Sequence, residues 1–110
     1  MLVAALVFAQ TAGEASQMWT FCVGSAPGGG EVWITNPFES SSDRHVLELA
    51  MQSALKLRGE RVLAKCPQPS SDKIAVVNAR TTAIESNRKL GSILHELPEH
   101  DFPGQGSEAH

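Results

Sequence analysis

Cys22 and Cys66 are the chain's only thiols, and His45, His95, His100 and His110 its only imidazoles. Two cysteines behind an apolar leader read as one disulfide in an oxidising compartment. Closing a loop of about 45 residues is worth about 4 kcal/mol on the chain-entropy model. The other reading is two buried free thiols in a cytosolic protein. Neither sulfur has a Cys-x-x-Cys partner or an evident base, so thiol catalysis is not indicated. His95-Glu96-Leu97-Pro98-Glu99-His100 approaches a zinc-binding pattern. Its second histidine falls one residue beyond His-Glu-x-x-His spacing, and Pro98 would break the helix that motif needs. A strand end and solvated tail explain it better, so no metal and no other cofactor is expected.

Gly28-Gly29-Gly30 has no following Lys-Ser/Thr, and Glu31 opens a strand rather than a helix, so the run reads as a hairpin tip. Ser40-Ser41-Ser42-Asp43 could hold an anion or cap a helix, and capping is the simpler use. No Gly-x-Ser-x-Gly elbow exists, and neither Asn78 nor Asn87 begins a glycosylation acceptor. The aromatics are the remaining handle. Trp33, with Phe38 and Trp19 nearby, would form an apolar binding platform if Trp33 faces away from the helices. Otherwise both tryptophans are core.

Elements to position these groups can be read along the chain. Leu2 to Ala9 is an apolar run resembling the core of an export signal, with small-x-small spacing at Val7-Phe8-Ala9. No Lys or Arg precedes it, which a signal would normally carry, so a first strand or buried helix of a cytosolic protein is the alternative. Residues 1–17 are assigned as leader and linker, 18–97 as one domain, and 98–110 as a disordered tail without periodicity. Trp19, Phe21 and Val23 alternate with Thr20 and Cys22, and Val32 and Ile34 lie opposite Trp33. Strand, glycine turn, strand makes a hairpin. Val46, Leu47, Ala50, Met51, Ala54 and Leu55 stripe a helix from about Arg44 to Arg58, closed by Gly59. Arg61 to Cys66 is a short strand with Val62, Ala64 and Cys66 on one face. A second helix follows the Pro67-Pro69 loop, with Ile74, Val77, Thr81 and Ile84 inward and Arg80, Arg88 and Lys89 on a solvated face. Ser92 to Leu97 is the last strand. The order ββαβαβ predicts an α+β domain, a mainly antiparallel sheet with both helices on one face and one disulfide.

The run Trp19-x-Phe21-Cys22, then Val32-Trp33-Ile34-Thr35-x-Pro37-Phe38, then Cys66-Pro67 and a helix containing Arg80, resembles a group of small secreted bacterial two-cysteine domains of unknown function. The resemblance covers about Trp19 to Leu97 and implies the same disulfide and α+β fold. It carries over no catalytic residue. Many members close on Gly-Trp, where this chain has Leu97-Pro98. A weaker likeness is to glycan-binding SPOR domains, which run βαββαβ rather than opening on a hairpin.

Net charge is −3 and the nine basic residues are scattered, which argues against nucleic acid. No apolar run reaches 18 residues, so no spanning helix is expected. The sequence therefore points to a periplasmic or secreted non-enzymatic module that binds a protein or envelope component through its sheet face or hairpin. A glycan-binding module and a small hydrolase using His45 or His95 are the alternatives.

Overall fold

The computed structural model describes residues 17–97, so the leader assignment (save Gln17), the tail, His100 and His110 lie outside the described residues. The elements run β1 (Trp19–Thr20), β2 (Val23–Ser25), β3 (Glu31–Thr35), β4 (Phe38–Glu39), α1 (Arg44–Leu57), β5 (Leu63–Lys65), α2 (Lys73–Lys89) and β6 (Ile93–Leu97). The fold is α+β. Four strands form a sheet in the order β5-β2-β3-β6, antiparallel except for the parallel β3–β6 pair, and β1 pairs with β4.

The opening hairpin forms as the alternation predicts, but not as two unbroken strands. Val23 opposes Ile34, whereas Thr20 opposes Phe38. Between these pairs Asn36 and Pro37 face Phe21 with one residue to spare, a bulge of the kind that bends a ladder. Pro37 lacks the amide that a regular pairing would need here. The bend turns β1 and β4 out of the main sheet, and Trp19 exchanges both backbone hydrogen bonds with Ser70. At the other end Gly28 and Gly29 take positive φ, the conformation that lets the tip reverse without strain.

The two helices lie on opposite faces of the sheet, not on one face as the element order suggested. Leu47, Met51 and Leu55 of α1 pack in one core with Trp33, Ala64, Leu97 and the cystine. Val76 of α2 packs in a second core with Phe21 and Ile34, bordered by Val23 and Leu94. Trp33 and Ile34 are sequence neighbours on one strand, so their side chains point to opposite faces. Both are buried, which requires a cover on each side. The buried stripe of α2 also differs from the expected one. Val76, Ala83 and Ile84 face the sheet, while Ile74, Val77 and Thr81 are exposed.

Gly24 decides how closely α1 can approach. A Cβ at this position would lie 3.1 Å from Val62 Cγ2 and 3.3 Å from Met51 Cε, so the helix and its following loop sit where a side chain would stand. Gly24→Val should therefore destabilise the fold by about 2–3 kcal/mol through overpacking, read as a lower denaturation midpoint. Replacing Cys22 and Cys66 together by alanine should cost about 2–4 kcal/mol in the same measurement.

Candidate functional site

Each edge of the four-stranded sheet exposes one row of backbone groups, and the two edges are treated differently. β5 forms the first edge. Its Ala64 amide donates to Gln52 Oε1 and its Cys66 amide to Glu48 Oε2, both at 2.9 Å. Gln52 and Glu48 are one helical turn apart on α1, a rise of about 6 Å. Ala64 and Cys66 are two strand residues apart, about 6.6 Å. The two repeats match, so alternate outward amides of β5 meet successive turns of the helix. Side chains of α1 thus take the outward amides of this edge, and Pro67 follows it at once.

The same register explains the disulfide. Val23 opposes Lys65, so Cys22 and Cys66 form the next facing pair of the β2–β5 ladder. Their Cα atoms are 4.2 Å apart and the sulfurs are bonded. Because the Cys66 amide points away to Glu48, this is a non-hydrogen-bonded pair, the closer of the two kinds of antiparallel pair.

β6 forms the second edge. The Ile93 amide donates to the Gly30 carbonyl of the β3 ladder, and Ile93, His95 and Leu97 direct their backbone groups to β3. The amides and carbonyls of Leu94 and Glu96 therefore point outward. Among the described residues neither has a partner for those groups. Apolar side chains flank this row. On α1, Glu48 and Gln52 lie toward β5, and Val46, Ala50 and Leu57 occupy the flank opposite them; Val46 is 58% and Leu57 90% exposed. On α2, Arg80 reaches Glu96, which places the adjoining Val77 and Ile84 on the β6 side. Ile93 itself is 59% exposed.

Polar contacts fix β6 from both faces. His95 stacks on Trp33 with ring centroids 5.0 Å apart, and its Nε2 is 2.9 Å from Glu31 Oε2. On the other face Arg80 Nε donates to the Thr35 carbonyl at 2.7 Å while its Nη2 donates to Glu96 at 3.0 Å. Arg80 is thus a mostly buried clamp between the ends of β3 and β6, not part of a solvated face.

The proposed platform of Trp33, Phe38 and Trp19 does not form. Trp33 and Phe38 are 6% and 5% exposed and belong to the core under α1. Trp33 has no outward face to use, because a helix covers each side of the sheet. Trp19 is half-buried against the second core, with Lys73 Nζ 4.3 Å from its ring centroid. The glycine run is an exposed hairpin tip, and Asp43 caps α1 by accepting from the His45 amide. Ser40 instead accepts from the Ser42 amide within the preceding turn.

A groove of about 370 Å³ opens beside the cystine, between Arg44, His45, Lys65 and Ala83. His45 Nδ1 is 3.5 Å from Glu48 Oε1 there. Glu48 is already committed to the Cys66 amide, and both sulfurs are bonded to each other. Among the described residues no hydroxyl or thiol bonds either imidazole, and no group of three metal-ligating side chains gathers. Nothing in these residues points to catalysis.

No protein-family model, curated protein or solved structure matches the chain.

The sealed edge gives a direct check. Gln52→Leu should leave the Ala64 amide without its partner and cost about 1 kcal/mol. Hydrogen exchange should accelerate at Ala64 and not at Cys66; equal protection in the variant would mean that Gln52 does not cap the strand.

Proposed function

We propose that this chain is an exported, non-enzymatic binding module that captures an extended polypeptide by adding it as a strand to β6. The carrying observation is the contrast between the two edges. The outward amides of β5 are taken by Gln52 and Glu48 and Pro67 follows, whereas among the described residues the outward backbone groups of β6 have no partner and the exposed Ile93 lies on the same strand. Strand addition draws affinity from main-chain hydrogen bonds and specificity from the flanking side chains. The Trp33–His95 stack and the Arg80–Glu96 clamp hold β6 in place beforehand, which lowers the ordering cost of binding.

Export is supported by the Cys22–Cys66 bridge, since such bonds persist outside the reducing cytosol. Among the described residues no helix is long and apolar enough to cross a membrane. A periplasmic or secreted setting, facing protein or other envelope components, fits both observations. The likeness to small secreted two-cysteine domains points the same way. Intact mass of periplasm-expressed protein should show removal of the apolar leader and the two-dalton loss of a disulfide.

The binding reading is tested by photo-crosslinking. Benzoylphenylalanine at Ile93 in the expressed full chain should give adducts with polypeptide, whether this chain or another. The same probe at Gly29, on the hairpin tip, should give far fewer. Equal labelling at both positions would sink strand addition at β6. So would sedimentation with purified peptidoglycan that Ile93→Lys leaves unchanged while polypeptide adducts are missing, an outcome that favours glycan binding instead.

A further inference from the structure

We propose that the strand received by β6 is the β6 of a second copy, paired antiparallel about a two-fold axis through His95. This rests on strand addition at β6 and names the partner.

The self-complementarity follows from the register of the outward groups. Only Leu94 and Glu96 direct backbone groups away from β3. With His95 opposite the partner's His95, Leu94 of each copy faces Glu96 of the other. Both are hydrogen-bonded positions, so four hydrogen bonds form and every outward amide and carbonyl of the two strands is used. On the face covered by α1, the exposed Ile93 meets the partner's Leu97. On the other face, the stem of Glu96 lies against the partner's Leu94, with its carboxylate held by Arg80 of its own chain. Moving the register by one pair either leaves a terminal residue unmatched or sets Glu96 against Glu96, a like-charge pair that destabilises a ladder.

The centre of the seam is also free of a steric conflict. Each His95 ring leans back over Trp33 toward Glu31 of its own chain, away from the edge. Each imidazole thus meets the axis with its own carboxylate beside it. On the α2 side the exposed Val77, on the helix that packs on β6, extends the contact.

Closure is the argument for a second copy over a foreign strand. Two β6 strands joined about a two-fold give one eight-stranded sheet, within the usual range for open twisted sheets. Its two outer edges are both β5, and the outward amides of both are taken by Gln52 and Glu48. Within this sheet, among the described residues, no outward amide is then left unpaired, so it stops growing at two copies. A foreign strand would leave its own far edge open.

Sedimentation of the full chain from about 1 µM to 1 mM, with amide hydrogen exchange over the same range, tests this. The expected result is a reversible monomer–dimer equilibrium with no larger species, and slower exchange at Leu94 and Glu96 as concentration rises. Ile93→Lys, a surface change, should weaken the dimer by at least about tenfold. Glu96→Pro, which deletes an outward amide, should do the same, whereas Glu96→Ala, which loses only the Arg80 contact, should weaken the dimer far less. Leu63→Lys on the β5 edge should have no effect. Circular dichroism and the intact disulfide confirm that each variant is folded.

A monomer at all concentrations with fast exchange at both amides overturns self-pairing. A monomer whose Leu94 and Glu96 amides are protected at every concentration overturns it as well, and assigns the edge to residues 98–110. Species beyond the dimer, or a dimer indifferent to both Ile93→Lys and Glu96→Pro, also overturn it. If self-pairing fails but the Ile93 photoprobe labels a different polypeptide, strand addition stands with another partner. If the probe labels none, both readings fall together.

Discussion

The β2–β5 seam is the constraint around which this small fold is organised. It is joined three ways: by ladder hydrogen bonds, by the Cys22–Cys66 bond, and by α1 lying across Gly24 and Ala64. Each depends on the others. The cysteines can bond because the ladder puts them opposite one another at the close kind of pair. The ladder is buried on that face because Gly24 has no side chain to hold α1 off. The helix is fixed in rotation because Gln52 and Glu48 must meet alternate amides of β5. A domain of about 80 residues buries only about 60% of the surface its unfolded chain exposes, so a covalent tie here supplies a sizeable share of its stability.

From that seam the asymmetry of the sheet follows. α1 uses one polar flank to take the outward amides of β5, and Val46, Ala50 and Leu57 lie on its opposite flank. α2, on the opposite face, is anchored by Val76 and by Arg80, and Arg80 ties it to β6 rather than to β5. α2 therefore brings its partly exposed apolar residues to the β6 edge, away from the edge that α1 caps. The fold thus spends polar side chains on the amides of one edge and none, among the described residues, on those of the other.

Much of the architecture was legible in the residues. Alternation marked the hairpin, three- and four-residue spacing marked α1, and Gly59 and Pro67 closed their elements. The cysteine pairing also emerged, since two thiols beside a hairpin and a short strand leave little choice of partner. What periodicity did not reveal was the side of the sheet to which each helix belongs. Val32, Trp33 and Ile34 form an unbroken apolar run, the pattern of a strand buried on both faces. Taken that way, the run would have placed Trp33 in the core and removed the exposed platform. The stripe of α2 was misjudged for a related reason. Arg80 occupies the middle of the buried face, and an arginine in that place breaks the apolar periodicity although its stem and head are enclosed. Edge capping by Gln52 and Glu48 left no apolar signal; a polar pair at four-residue spacing beside the stripe was its only trace.

β6 poses the sharpest physical question, because it is added to β3 across a separation of 62 residues and, among the described residues, has one neighbouring strand. A parallel edge strand of five residues has few ladder bonds to hold it, and the loop that it closes is long. The structure answers with contacts at several points. Trp33 and Glu31 grip His95 on one face, Arg80 grips Glu96 on the other, and Leu97 is buried beside Phe38 and Leu47 in the core under α1. These are contacts of the inner side and the two faces. None of them uses the outer row of amides and carbonyls. The strand is thus fixed in every direction except the one from which another strand would arrive. An edge built in this way presents its free groups in a defined register, and that is the condition for directional pairing in place of indiscriminate aggregation.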